Sequence, residues 1–281
     1  MSGAGPEEAP PIVSANFYKR LVASLVLVPL AIGLTFAGGL AFTAMVALGG
    51  ALVVMEWMRI AAPGGSQYLG RALPVFCGLV VLGTPAGASG AMGGLVLGAG
   101  LFAVAALTAG SRYLWVAAGL LYGGAPGIAL SLLREGPDGF IAVVFVLVTV
   151  WTTDSCAYFA GRALGGPKLW PRVSPKKTWS GAIGGALSAV LAGLLLALVA
   201  GLPSPAVVAG IAFILSVVSQ LGDLGESAVK RRFDVKDSGT IIPGHGGIMD
   251  RVDGLIPAAI LAAAIGLAHG GPSLAAGLIR W

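Results

Sequence analysis

Charge is the scarcest commodity in this sequence. Only 10% of its 281 residues are Asp, Glu, Lys or Arg and 57% are hydrophobic, whereas a soluble domain carries about 25% charged residues. That excludes a water-soluble globular domain and leaves a membrane protein. The chain has two cysteines, Cys77 and Cys156, both in apolar stretches. They read as small buried side chains rather than a disulfide or a metal pair. There is no GxxxxGK[ST] phosphate loop, no HExxH and no zinc-type Cys/His spacing. The DGxxAR…GxxxDxxxD pattern of CDP-alcohol phosphotransferases is missing too. The net charge is +5, but the basic residues are confined to particular loops. They report membrane topology, and no nucleic-acid partner is expected.

What is abundant is Ala, Gly, Leu and Val. With 45 glycines, GxxxG matches such as Gly94/Gly98 and Gly181/Gly185 carry little weight by themselves. A membrane span needs about 20 apolar residues. Nine windows qualify, near 21–38, 40–58, 71–87, 90–109, 113–133, 139–160, 180–201, 204–222 and 252–270. The third and fifth are the weakest, being short or broken by Gly-Gly and Pro126. The expectation is an all-α, polytopic integral membrane protein of about nine transmembrane helices. A polar, Pro-rich tail over 1–18 is expected to be disordered. Transmembrane helices follow over 19–138, then a catalytic transmembrane region over 139–281. Lys19 and Arg20 precede the first long apolar run, which reads as a retained helix rather than a cleaved signal.

Loop charge sets the orientation. With the N-terminus in the cytoplasm, the opposite face keeps only Arg134 and Arg280 of the 17 basic residues, a strong positive-inside bias. Both long polar loops, 161–179 and 223–251, then face the cytoplasm. A multi-pass protein of the inner (cytoplasmic) membrane is expected.

Four constellations stand out against the apolar background. In QLGDLGESAVK, a helix continuing past the bilayer would put Asp223, Glu226, Ser227 and Lys230 at i, i+3, i+4 and i+7 on one face. Such a face suits a hard cation, with a Lys one turn on for a phosphate; a solvated helix end with i,i+4 ion pairing explains it equally well. In PGHGGIMDRVD, the glycines, Gly246 and Gly247 among them, allow backbone N–H groups to approach an anion. Asp250 and Asp253 flank Arg251 there, and His245 sits in the glycine turn, placed to donate to a phosphate oxygen. Carboxylates at the start of a helix are ordinary; the interposed Arg and the His are not explained that way. SPKKT followed by Trp179 puts Lys176 and Lys177 at the membrane surface, which alone reads as ordinary anchoring. In WTTDSCAYFAGR, Asp154 lies about 12 Å along a helix from the Arg162 end. An intramembrane carboxylate is a functional candidate by default, here facing a polar cavity.

Together these residues resemble the phosphatidate cytidylyltransferase (CDP-diacylglycerol synthase) family. Its signature, S-x-x-K-R-x4-K-D-x-[GSA] followed by P-G-H-G-G-x-x-D-R-x-D, is filled by Ser227, Lys230, Arg231, Lys236, Asp237, Gly239, Pro243, His245, Gly246, Gly247, Asp250, Arg251 and Asp253. The GDLxES around Asp223 and Glu226, the D-S-x-A-Y-x-x-G-R run from Asp154, and SPKKT also fit. Ser180 departs from the pattern, which has an acidic residue after the Trp. The resemblance covers roughly 140–256; the first five windows match only in hydropathy.

The resemblance implies the reaction CTP + phosphatidate → CDP-diacylglycerol + pyrophosphate, in phospholipid biosynthesis. It implies Mg²⁺, with K⁺ as a second cation, held by Asp223 and Asp250, with Glu226 and Asp253 as further ligands. Lys230, Arg231 and Arg251 would hold the triphosphate. Ser174, Lys176, Lys177, Ser227, Lys236, Asp237, Asp154, Gly246 and Gly247 would bind substrate, and a homodimer is implied. Two other readings compete: a CTP-dependent lipid kinase attacking the γ-phosphorus, and a cation transporter. A transporter would place carboxylates deep in several spans, whereas here they gather at one face among basic residues.

Overall fold

The structure is a computed structural model that describes residues 15–61, 67–241 and 246–281. The first fourteen residues of the expected disordered tail lie outside the described residues. The chain is almost entirely helical: α1 (Ala15–Ala37), α2 (Gly39–Ala61), α3 (Gln67–Leu82), α4 (Ala88–Ala109), α5 (Arg112–Arg134), α6 (Gly139–Leu164), α7 (Trp179–Val199), α8 (Pro205–Arg232), α9 (Met249–Val252), α10 (Leu255–His269) and α11 (Leu274–Ile279). Each apolar window of the sequence overlaps one of these helices. Among the described residues six helices are long and apolar enough to cross a membrane, and three shorter apolar helices accompany them.

Three features were not expected from hydropathy. The loop 161–179 is not irregular: α6 runs to Leu164, and an antiparallel hairpin, β1 (Lys168–Trp170) with β2 (Ser174–Thr178), follows. The polar loop from 223 is helical for its first ten residues, because α8 runs on to Arg232. A short helix, α11, folds back after α10.

The fifth span, one of the two weakest by hydropathy, is the most enclosed of the six long ones. Within its most apolar stretch 72% of residues are buried, against 28–44% in the other five long spans. Its glycines are the reason. Gly119 faces the Trp57 ring, Gly123 faces the Gly50 carbonyl and Val54, and Gly124 faces Leu95; a Cβ at any of the three would clash. In lipid, where apolar burial gives little net drive, close approach of backbones is what associates helices. Gly181 and Gly185 likewise seat α7 on α6 against the carbonyls of Ala157 and Thr153. This pair therefore carries the packing that its sequence pattern alone did not justify.

Two apolar cores result. One joins α2, α3, α4 and α5 around Leu95, Leu120 and Ile128. The other joins α6, α8, α10 and α11 around Phe145, Leu215 and Leu278. A third cluster bridges them: Val53, Trp57 and Ile60 of α2 meet Met249 and Ile256, with Trp115 and Phe233 beside them. The first half of the chain thus touches the polar C-terminal segment directly. At the opposite end of the bundle Arg134 donates to the carbonyls of Thr35 (2.5 Å) and Phe36 (2.9 Å), capping α1. Arg280 there makes a forked ion pair with Asp138 at 2.7 and 2.8 Å.

Candidate active site

The site is built around the last three turns of α8. Their helical period puts Asp223, Glu226, Ser227 and Lys230 on one face, as expected once the helix continues. Lys230, Arg231 and Arg232 form the last turn, where cations complement the helix dipole. Lys230 Nζ sits between two carboxylates, 2.8 Å from Glu226 Oε2 and 2.7 Å from Asp250 Oδ1. It therefore ties α8 to the start of α9.

The hairpin delivers a second cation. Thr178 caps α7 by accepting from Gly181 N (3.1 Å), and Ser180, the position that departs from the family pattern, donates to the Gly165 carbonyl and so closes the hairpin's base. This fixes β2, on which alternate side chains point to opposite faces. Lys177 is half-buried and pairs with Asp223, while Lys176 is exposed. The structure thus separates two neighbouring lysines: one inside the site, one on its rim. Ser174 is half-buried at the start of the same strand.

The two ends of the carboxylate cluster differ. Asp250 is fully engaged. Oδ1 takes Lys230, and Oδ2 accepts from Ser238 N (3.0 Å), Ser238 Oγ (2.9 Å) and Gly247 N (2.9 Å). Burial alone would raise this carboxyl, but the Lys230 ammonium and the two backbone donors outweigh it and hold it below the usual range. Glu226 is 2% exposed; its Oε2 meets the Lys230 ammonium, and its Oε1 has no partner among the described residues. Asp253 accepts only from Gly254 N within its own turn among the bonds described. Burial first, then the charges of Asp223, Glu226 and Asp154, push its carboxyl well above the usual value.

Asp223 pairs with Lys177 and Glu226 with Lys230, while neighbouring carboxylates repel one another around Asp253. Among the described residues no three carboxylate or histidine side chains converge closely enough to hold an ion alone. One or two of these carboxylates, with water and substrate phosphates completing the shell, would suit a divalent cation.

The remaining expected residues fall around this centre. Asp154 lies on an exposed part of α6, within electrostatic reach of Asp223, Lys177 and Arg251. Arg231, Lys236, Asp237 and Arg251 are exposed around the site. Gly246 adopts φ +88°, a left-handed conformation that glycine tolerates, and a Cβ there would lie 3.1 Å from Asp250 Oδ2. His245 lies outside the described residues.

Several participants were missed by sequence reading. Ser216, Ser219 and Gln220 extend the polar face of α8 upward; Ser216 Oγ meets Thr153 of α6 at 2.7 Å. Their i, i+3, i+4 spacing ahead of Asp223 was legible. Tyr122 of α5 buries a hydroxyl with no partner among the described residues, within reach of the charges of Glu226, Asp253, Asp223 and Asp250. Glu56 of α2 is 0% exposed and accepts from Ser238 Oγ, Ile248 N and Met249 N at 2.9, 3.1 and 2.8 Å. The signal for Glu56 was a lone carboxylate inside an apolar span, the same one that singled out Asp154.

Known proteins match this chain along most of its length. The model of the cytidylyltransferase family matches residues 18–268. A phosphatidate cytidylyltransferase of Brucella suis is 45% identical over 251 residues, covering 88% of this chain and 92% of its own. One of Bacillus subtilis is 50% identical over 119 residues, 42% of this chain and 44% of its own. The match reaches through the first five helices as well as the polar cluster, and the chain belongs to the cytidylyltransferase family.

Proposed function

We propose that this chain is an enzyme that transfers the cytidylyl group of CTP to phosphatidate, giving CDP-diacylglycerol and pyrophosphate. The observation that carries the reading is the 45% identity, over 88% of the chain, to relatives named for that activity. The site supports it with carboxylates, an ammonium bridge and a rim of exposed cations at one end of an apolar bundle.

The lipid phosphate attacks the α-phosphorus in line and pyrophosphate departs. A phosphate nucleophile is already ionised near neutral pH, so positioning and charge neutralisation dominate over base catalysis. Asp223, with Glu226, Asp253 and Asp250 as further candidate ligands, would supply one or two carboxylates to a divalent cation, Mg²⁺, with K⁺ as its companion. Bound there, the ion would neutralise charge on the phosphates and clamp their oxygens. Lys230, Arg231 and Arg251 hold the triphosphate and stabilise the departing pyrophosphate, and His245 donates to a phosphate oxygen. Lys177, already inside the site, orients the reacting phosphates, while Lys176, Ser174, Lys236 and Asp237 gather substrate at the rim. Ser227, Gly246 and Gly247 line the floor, and Asp154 borders the side facing the lipid. The helices of 19–138 act as support and those of 139–281 as the catalytic region. The N-terminus and the site face the cytoplasm from the inner membrane, and the enzyme works as a homodimer.

The test uses purified protein with phosphatidate, Mg²⁺ and CTP labelled at the α-phosphorus. Label should enter the lipid phase and pyrophosphate should appear in equal amount. Label from the γ-position entering lipid, with CDP released, would contradict the reading and identify a lipid kinase.

A further inference from the structure

Glu56 does nothing in the chemistry described so far, yet it is among the most completely engaged carboxylates in the molecule. It projects from α2, in the half of the chain whose role sequence left blank. All three of its donors belong to the segment that shapes the surroundings of Asp250: Ser238 Oγ and the backbone N–H groups of Ile248 and Met249. Ser238 Oγ lies 2.9 Å from Glu56 Oε2 and 2.9 Å from Asp250 Oδ2, so its single proton is shared between the two carboxylates. Gly239 and Gly247 complete the enclosure. A Cβ on Gly239 would come within 2.6 Å of Glu56 Oε1, and one on Gly247 would collide with Ser238 Oγ and the Glu56 carboxylate.

From this geometry we infer that Glu56 is a positioning residue for cytidylyl transfer: it clamps the glycine-rich loop from α2 and, through Ser238, sets the orientation of Asp250. The inference rests on the function proposed above. An apolar residue at this position would leave two backbone N–H groups and a hydroxyl without partners in a buried place. An amide would present its NH₂ group to donors and match only part of the set. Either change alters the sharing of the Ser238 proton and the seating of the 247–249 backbone, and so shifts the Asp250 oxygen that Ser238 and Gly247 hold. The first five helices thereby gain a share in the active site without touching substrate.

The test compares Glu56→Gln, Glu56→Asp and Ser238→Ala in the full chain, purified in detergent. Groups that orient a metal-site carboxylate typically cost about 10–100-fold in activity or metal affinity when removed. Glu56→Gln and Ser238→Ala should lower kcat by about that factor and raise the Mg²⁺ concentration for half-maximal rate. KM for phosphatidate should stay within about twofold, since uniform binding is untouched. The charge-retaining Glu56→Asp should recover part of kcat, and the double variant should lose little more than either single one. Should Glu56→Gln fail to fold, Ser238→Ala, which leaves both backbone contacts in place, carries the test. Wild-type kcat and Mg²⁺ dependence in Ser238→Ala, or activity losses that merely track the folded fraction, would overturn the inference. If wild-type protein makes no CDP-diacylglycerol, the proposed function fails instead. Amide exchange at residues 247–249 then still reports whether Glu56 clamps the loop: faster exchange in Glu56→Gln supports the clamp, and unchanged exchange refutes it.

Discussion

Glu56 and Glu226 are both buried glutamates in apolar helices, at 0% and 2% exposure, and they stand in opposite circumstances. The loop side, around Glu56 and Asp250, is saturated with donors from Ser238, Gly247, Ile248 and Met249. The α8 side, around Asp223, Glu226 and Asp253, relies on the Lys177 and Lys230 ion pairs, has few backbone donors among the described residues, and sets its carboxylates against one another. A buried charge is tolerable when donors satisfy it and costly when they do not. The saturated side therefore reads as scaffold, and the unsaturated side as the place that takes a cation and the phosphates it carries.

The largest effect that would break this contrast is expected at Asp223. Asp223→Ala removes a carboxylate and leaves Lys177 without its partner. Loss of one charge-stabilising group of this kind costs about 10²–10³-fold or more in rate, with the protein still folded by size-exclusion profile. Retained activity would remove α8 from the chemistry.

Glu226→Gln comes next, and its two readouts should diverge. Activity should fall roughly 10–100-fold, while thermal stability in EDTA should hold or rise, because an under-satisfied buried charge has been removed. A large loss of stability in EDTA would mean that Glu226 is scaffold like Glu56. Gly247→Ala sharpens the other side. Its methyl collides with Ser238 and Glu56, and overpacking of this kind costs about 1–3 kcal/mol, seen as a lowered melting temperature with or without Mg²⁺.

The pH dependence follows from Asp253. Its carboxyl is raised above the ordinary 3.8 by burial and neighbouring carboxylates. In the folded state it keeps its proton where the unfolded chain has released it. Its contribution is therefore most favourable below the usual carboxylate range, and stability declines as pH rises from there through the raised value. Melting in EDTA should show this slope, and Asp253→Asn should flatten it. The smallest effect belongs to the far end of the bundle. Arg280 holds Asp138 below the usual carboxylate range, so that pair stabilises above it and fades as pH falls through the lowered value. Arg280 is exposed while Asp138 is half-buried at the bundle end, so Asp138→Asn should shift the melting temperature only slightly.

Much of this was readable in the chain. Hydropathy located windows that overlap α1–α8 and α10, because a span's apolar length is a direct physical requirement. The i, i+3, i+4, i+7 spacing from Asp223 to Lys230 foretold their shared face, because helical period carries through the membrane boundary. What was not readable depended on contacts distant in sequence. Lys177 and Lys176 are neighbours, and only the hairpin's pleat separates their roles. Glu56 lies 182 residues from Ser238, and no local pattern links an α2 carboxylate to a loop beyond α8. The glycines of α5 weakened its signal as a span, yet they are what let it occupy the centre of the bundle.

The most direct measurement of the central claim needs no substrate. The melting temperature of purified wild-type protein is followed as Mg²⁺ is added and compared with Asp223→Ala and Glu56→Gln. A cation held by the α8 carboxylates should stabilise the wild type progressively, stabilise Glu56→Gln only at higher concentration, and leave Asp223→Ala unmoved. The same Mg²⁺ response in Asp223→Ala as in wild type would contradict the account, since the cation would then be held elsewhere.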